Sequence, residues 1–126
     1  MNEHQEARRQ FVESIPVFQE TKTPELISLK LLEEVGEFLV AYTDYARNEK
    51  TPERLQAVRE ETADVVHLLL DIAILTGFDL GEAMKEKLAK DKRRFPPSEM
   101  QRSYPGEPAQ KVYMRRKIKL GERKPQ

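Results

Sequence analysis

The tripeptide Thr-Pro-Glu occurs twice, at residues 23–25 and 51–53, each time directly ahead of a long run whose apolar residues recur at helical spacing. A capping hydroxyl, a proline at the first helical position and an acid in the first turn together mark a helix start. After the first copy, Leu26, Leu29, Leu32, Val35, Phe38, Leu39 and Tyr42 recur at intervals of three and four, which predicts a helix to about Asn48. The helix opened by the second copy is expected to run to about Thr76, where Gly77 is a natural stop. The short connection between two such helices makes them an antiparallel hairpin.

The second helix sets a further condition. From Val65 to Leu75 it is apolar nearly all round, with His67 and Asp71 as the polar exceptions. A helix of that kind has to be covered on several sides. Yet only 38% of residues are hydrophobic and the mean hydropathy is −0.73, which is lean for a monomer that must bury its own core. Most of the apolar residues fall between Leu26 and Leu88, so another subunit is expected to complete the core. A first helix is predicted from about Glu3 to Gln19, kinked or ended by Pro16. A last one, capped by Asp79, is predicted over Leu80 to Arg94, before Pro96-Pro97. The expected fold is all-α, a four-helix hairpin bundle completed by dimerisation, with residues 1–96 as the domain.

Residues 97–126 read as a basic C-terminal tail. Prolines and glycines punctuate residues 96–108, and residues 111–120 show no helical face. Val112, Met114, Ile118 and Leu120 share one parity that Arg116 interrupts, which predicts a loop or an extended arm. Lys111, Arg115, Arg116, Lys117 and Lys119 make that arm basic, and a solvated arm or a subunit contact is favoured over nucleic acid. The whole chain carries zero net charge although 35% of its residues are charged, whereas a phosphate-driven nucleic-acid binder normally shows a basic excess.

The chain has no cysteine, which removes disulfides, thiolate zinc sites and cysteine nucleophiles. Its first ten residues, MNEHQEARRQ, contain no apolar signal segment, and no apolar run approaches the ~20 residues that span a bilayer. A cytoplasmic protein without membrane contact is the expectation.

The chemistry is expected in two pairs of carboxylates, Glu34 with Glu37 and Glu61 with Asp64. Residues three apart on a helix project about 60° from one another, so each pair shares a side. Apolar neighbours flank both pairs: Leu32, Val35 and Phe38 around the first, Ala63, Val65 and Val66 around the second. Either pair alone is an ordinary solvated surface feature. On antiparallel helices, however, the pairs can face each other, and four converging carboxylates repel and raise one another's pKa values. A hard divalent cation removes that repulsion, and carboxylate oxygens are what magnesium prefers. The residues therefore point to a magnesium site, with manganese as a substitute.

The segment Lys30-Leu-Leu-Glu33-Glu34-Val-Gly-Glu37 followed by Glu61-Thr-Ala-Asp64 resembles the EExxE…ExxD signature of the MazG-like all-α nucleoside triphosphate pyrophosphohydrolases. Downstream, Lys87-Leu-Ala-Lys-Asp91-Lys-Arg-Arg94-Phe95-Pro96 is similar to the K-x-x-x-N-x-x-R-Y/F-P run of several members. The likeness covers about Leu26 to Pro96, and Asp91 departs from it where many members have asparagine. A carboxylate accepts hydrogen bonds but cannot donate one. The resemblance implies hydrolysis of a nucleoside triphosphate, often a deoxy or non-standard one, to the monophosphate and pyrophosphate. It implies Glu34, Glu37, Glu61 and Asp64 as magnesium ligands, and Glu33 as a second-metal ligand or proton acceptor, catalytic together with Glu37. It also implies Lys87 and Arg94 as phosphate contacts, and a homodimer or tetramer. A phosphoribosyl-ATP pyrophosphatase is the nearest alternative reaction. A non-catalytic metal- or nucleotide-binding assembly protein is the alternative of another class.

Other residues stay open at this level. Lys90 and Arg93 read as cations at a helix C-terminus, and Lys30 reads equally as an ion-pair partner of Glu34 or a substrate contact. Asp64-x-x-His67 has the form of a di-iron half-site, but the one further histidine, His4, lies near the start and gives no second half. Asp71 needs a partner if buried, and a contact behind the metal site or across subunits is expected. Of Phe11, Phe18, Phe38, Tyr42 and Phe95, one or two are candidates to stack on a base; the sequence does not choose among them.

Overall fold

The computed structural model describes residues 2–125, in which there are six α-helices, one 3-10 turn and no strand. The helices are α1 (Glu3–Glu13), α2 (Pro16–Glu20), α3 (Pro24–Arg47), α4 (Pro52–Thr76), α5 (Leu80–Arg94) and α6 (Ala109–Lys119), with the 3-10 turn at Pro97–Glu99. Among the described residues, no helix is long and apolar enough to cross a membrane. The chain divides into two compact units, one ending at Gly81 and the other beginning at Glu82.

In the first unit both Thr-Pro-Glu segments start helices as expected. The Thr23 hydroxyl accepts from the Leu26 N–H and the Thr51 hydroxyl from the Arg54 N–H, each at 3.2 Å, with the proline in the first turn. Gly77 ends α4 at φ 84°, a left-handed conformation that a side chain resists, and its N–H returns to the Ala73 carbonyl at 2.9 Å. Helices α3 and α4 pack along each other. Arg54 meets Asp44 near the connection, Glu34 meets Glu61 and Asp64 midway, and Ile27 and Leu68 line one cavity further on. That order is the order of an antiparallel hairpin.

The expected helix over residues 3–19 is divided in two. Pro16 forces the residue before it out of the helical region, and Ile15 is extended at φ −124°, ψ 101°. The chain therefore turns there and α2 begins at the proline. Helix α1 packs on α4, and Gln5 fixes its start. Only 1% exposed, Gln5 donates from Nε2 to the Phe78 carbonyl at 2.8 Å and accepts from the Leu80 N–H at 2.9 Å. Both ends of a buried amide are thereby satisfied.

Asp71 is buried and does have partners, but they come from its own chain. Arg8 grips both carboxylate oxygens at 2.9 and 3.0 Å, and Lys22 lies 2.9 Å from Oδ2. A contact across subunits is not needed to satisfy it.

The second unit corrects the expected extended arm: residues 109–119 are a helix. The pattern was hidden because cations occupy part of the inward face. Val112 is buried, while Arg116 on the adjacent turn donates from Nε to the Arg94 carbonyl at 2.5 Å. Arg115 bonds both oxygens of Glu107, at 2.8 and 3.1 Å, and Glu107 also accepts the Ser103 N–H at 2.9 Å. These contacts hold the Glu107 carboxyl far below its ordinary 4.5, at about 2. Stacking of Phe95 on Tyr113, with centroids 5.2 Å apart, joins the end of α5 to α6.

Candidate metal centre

The carboxylates that meet are set by how α3 and α4 bury their faces. Ile27 is buried, and Glu34, seven residues later on the same face of α3, is buried with it at 7% exposure. From α4 come Glu61, half-buried, and Asp64, exposed, three residues apart. Glu34, Glu61 and Asp64 each present an oxygen, and the three oxygens lie within 4.8 Å of one another. Oxygens on opposite sides of an ion at calcium-like distances are about 5 Å apart, so one cation can touch all three.

Two of these groups lack what a buried carboxylate requires. Oε2 of Glu34 and Oε2 of Glu61 are both buried without a hydrogen-bond partner. The other oxygen of Glu34 is 3.0 Å from Lys30 Nζ, which also reaches Glu33 at 3.4 Å. One ammonium therefore offsets part of a larger negative charge. Orphaned carboxylate oxygens of this kind are costly unless a cation or a proton satisfies them, and an all-oxygen donor set suits a hard divalent cation.

The electrostatics agree. The Glu37 carboxyl is pushed above its ordinary value, first by the Glu34 charge, then by loss of solvent, with Glu61 adding to it. Glu61 is also raised, first by desolvation and then by the Glu34 and Asp64 charges. Glu37 thus stands next to the cluster and senses it, but it is exposed and lies outside the group of three. Glu33 is further out, with 57% of its side chain exposed.

The expected phosphate contacts belong to the second unit and have carboxylate partners there. Lys87 Nζ is 2.7 Å from Asp91. Arg94 bonds Asp91 at 2.6 Å and Glu122, from Nε, at 2.9 Å, and its guanidinium lies 4.7 Å from the Phe95 ring centre. Asp91, where the resemblance leads one to expect asparagine, is held below its usual value by Lys87 and then Arg94. The departure therefore has a local consequence, because one carboxylate engages both cations.

A cavity of about 550 Å³ in the first unit includes Glu34 and Asp64 in its wall. Lys30, His67, Phe11 and Phe18 line it as well, as do Arg8 and Lys22, whose charges Asp71 anchors. His67 contributes to this wall rather than to the three-carboxylate group. Sequence reasoning missed Arg8 and Lys22. Neither belongs to a periodic pattern, and the buried Asp71 was the one available signal that cations must approach.

The family model described as the MazG nucleotide pyrophosphohydrolase domain matches residues 22–98. No curated protein and no solved structure matches the chain.

Proposed function

The chain belongs to the MazG nucleotide pyrophosphohydrolase domain family, and from that premise we propose that it hydrolyses a nucleoside triphosphate to monophosphate and pyrophosphate with magnesium. The observation that carries the reading is the pair of buried, unpartnered oxygens on Glu34 and Glu61 beside Asp64. In this proposal Glu34, Glu61 and Asp64 hold the ion from two helices, and Glu37 completes the set from the next turn of α3. Magnesium, or manganese in its place, supplies neutralisation of phosphate charge and a lowered pKa for bound water.

The chain's own residues supply placement and proton handling. Lys30 braces Glu34 while leaving its second oxygen free. Water adds to the α-phosphorus, the bridging oxygen leaves with pyrophosphate, and Glu33 accepts the proton of the attacking water. For Lys87 and Arg94 the role of phosphate contacts rests on the family resemblance, and within the second unit both engage Asp91. The substrate is a canonical, deoxy or modified nucleotide. The working form is a cytoplasmic homodimer or tetramer, which is supported by the large apolar side chains left open on α3.

The test is pyrophosphate release from a panel of canonical and modified nucleoside triphosphates with magnesium. Activity should appear on at least one of them and fall by two orders of magnitude or more in Glu37→Gln, about the loss expected when a positioned catalytic group is removed, with the helical circular dichroism unchanged. Wild-type protein that binds a nucleotide from the panel but cleaves none would make this a binding module instead.

A further inference from the structure

We infer that the base of the nucleotide docks against Phe11 and Phe18, so that α1 and α2, outside the matched domain, govern which nucleotide is accepted. The inference rests on the reading of the carboxylate cluster as a triphosphate-cleaving centre.

The aromatic residues differ in what already occupies them. Phe38 and Tyr42 stack on each other with centroids 6.1 Å apart, and Phe95 stacks on Tyr113 in the second unit. Phe11 and Phe18 pair edge-to-face at 5.8 Å, yet remain 50% and 40% exposed. They are also the two phenylalanine rings that line the cavity whose wall contains Glu34 and Asp64. A half-open phenylalanine pair loses apolar burial unless something flat covers it. Every nucleobase has a face that can do so.

The rest of the cavity wall combines charged and apolar side chains, as a nucleotide site requires. Carboxylates for a metal form one part of the wall and Lys30 stands beside them, bonded to Glu34. Arg8 and Lys22 line the same cavity, both held by Asp71, and the Arg8 guanidinium lies 5.9 Å from the Phe11 ring centre. A triphosphate anchored at the carboxylates through a cation would meet these cations with its phosphates and leave its base for the aromatic end. The volume, about 550 Å³, lies within the range of small-molecule sites. Phe11 and Phe18 precede residue 22, where the family match begins, so this wall lies outside the matched segment.

The experiment compares ligands with and without a base. Binding of α,β-methylene analogues of the common ribo- and deoxynucleoside triphosphates, which resist cleavage, is measured by calorimetry with magnesium beside inorganic tripolyphosphate. Phe11→Leu and Phe18→Leu keep apolar bulk and should weaken the best analogue by about ten-fold or more, in line with the loss of one base stack. Tripolyphosphate affinity should not change. Phe18→Trp should retain the affinity, and its fluorescence should be quenched by the nucleotide and not by tripolyphosphate. Leucine variants that bind the analogues normally, or that lose both kinds of ligand equally, overturn the inference while wild-type cleavage leaves the parent reading intact. Tripolyphosphate binding without any nucleotide binding overturns it too. Wild-type protein that binds neither class of ligand overturns both readings. If a leucine variant melts early, Phe11→Tyr and Phe18→Tyr decide: they retain the ring and should retain nucleotide binding.

Discussion

At the scale of single residues, Glu34 carries the strongest conflict between fold and charge. It is 7% exposed, has an orphaned oxygen, and lies among the acids that raise the pKa values of Glu37 and Glu61. Without a cation it opposes folding, so Glu34→Gln should raise the melting temperature of the chelated protein by roughly 2–6 °C, the shift that about 1 kcal/mol produces in a chain of this size. If the cluster holds magnesium as proposed, millimolar magnesium should stabilise the wild type and not this variant. The sign with pH follows from the raised pKa values. The contribution of Glu37 and Glu61 to metal-free stability is fully present below the ordinary glutamate value of 4.5 and is lost as pH rises through their higher folded values. Magnesium at the proposed site would compete with those protons, so its stabilising shift should grow from pH 4.5 to 8. Melting curves with and without magnesium across that range check both statements; a shift independent of pH would refute the proton competition.

The residue types of this site were legible because helical spacing pairs Glu34 with Glu37 and Glu61 with Asp64. Their ranking was not. Which acid of α3 turns inward depends on how the helix rotates to bury Ile27, and a rotation of about 60° would have put Glu37 where Glu34 is.

At the scale of elements, α3, α4 and α5 were readable from caps, proline positions and Gly77, each of which acts within a turn or two of its own place. Helix α6 was not, because its inward side is made of Val112 together with arginines whose charges are answered by Glu107 and a carbonyl. Hydrophobic periodicity cannot register a face stabilised by ion pairs. The same feature gives α6 a distinct acid response. Glu107, lowered from 4.5 to about 2, contributes stability that is complete above pH 4.5 and disappears as pH falls toward 2. Amide resonances of α6 should therefore shift toward coil positions within that window. In Glu107→Gln they should be weakened already at neutral pH and show no such step, while magnesium binding persists. Resonances of α6 that stay constant from pH 5 to 2 would show that Glu107 does not hold the helix.

At the scale of the whole molecule, what is missing is a cover for α3. Buried apolar residues in the first unit are Val12, Ile27, Leu68, Leu70 and Ala73, whereas Leu29, Leu32 and Val40 are 64%, 72% and 72% exposed. Leu29, Leu32, Gly36 and Val40 follow one another at three- and four-residue steps on the side of α3 opposite Ile27 and Glu34. A Cβ added at Gly36 would meet no atom within 4 Å, so its small size is not explained by its own unit. An apolar stripe with a glycine at its centre suits the close approach of another helix, and a second copy of α3 supplies one. Wild-type protein at micromolar concentration should sediment as a dimer or a larger even assembly, with a melting temperature that rises with concentration. Leu32→Lys combined with Val40→Lys should sediment as a monomer and melt lower. Glu37 adds a consequence for the site, since it is three residues from Val40 and borders the stripe. Covering the stripe withdraws water from Glu37 and strengthens its need for a cation, so the monomeric variant should also bind magnesium more weakly although none of the four carboxylates has changed. Wild-type protein that stays monomeric at tens of micromolar, or a monomeric variant with undiminished magnesium affinity, would separate assembly from the metal centre.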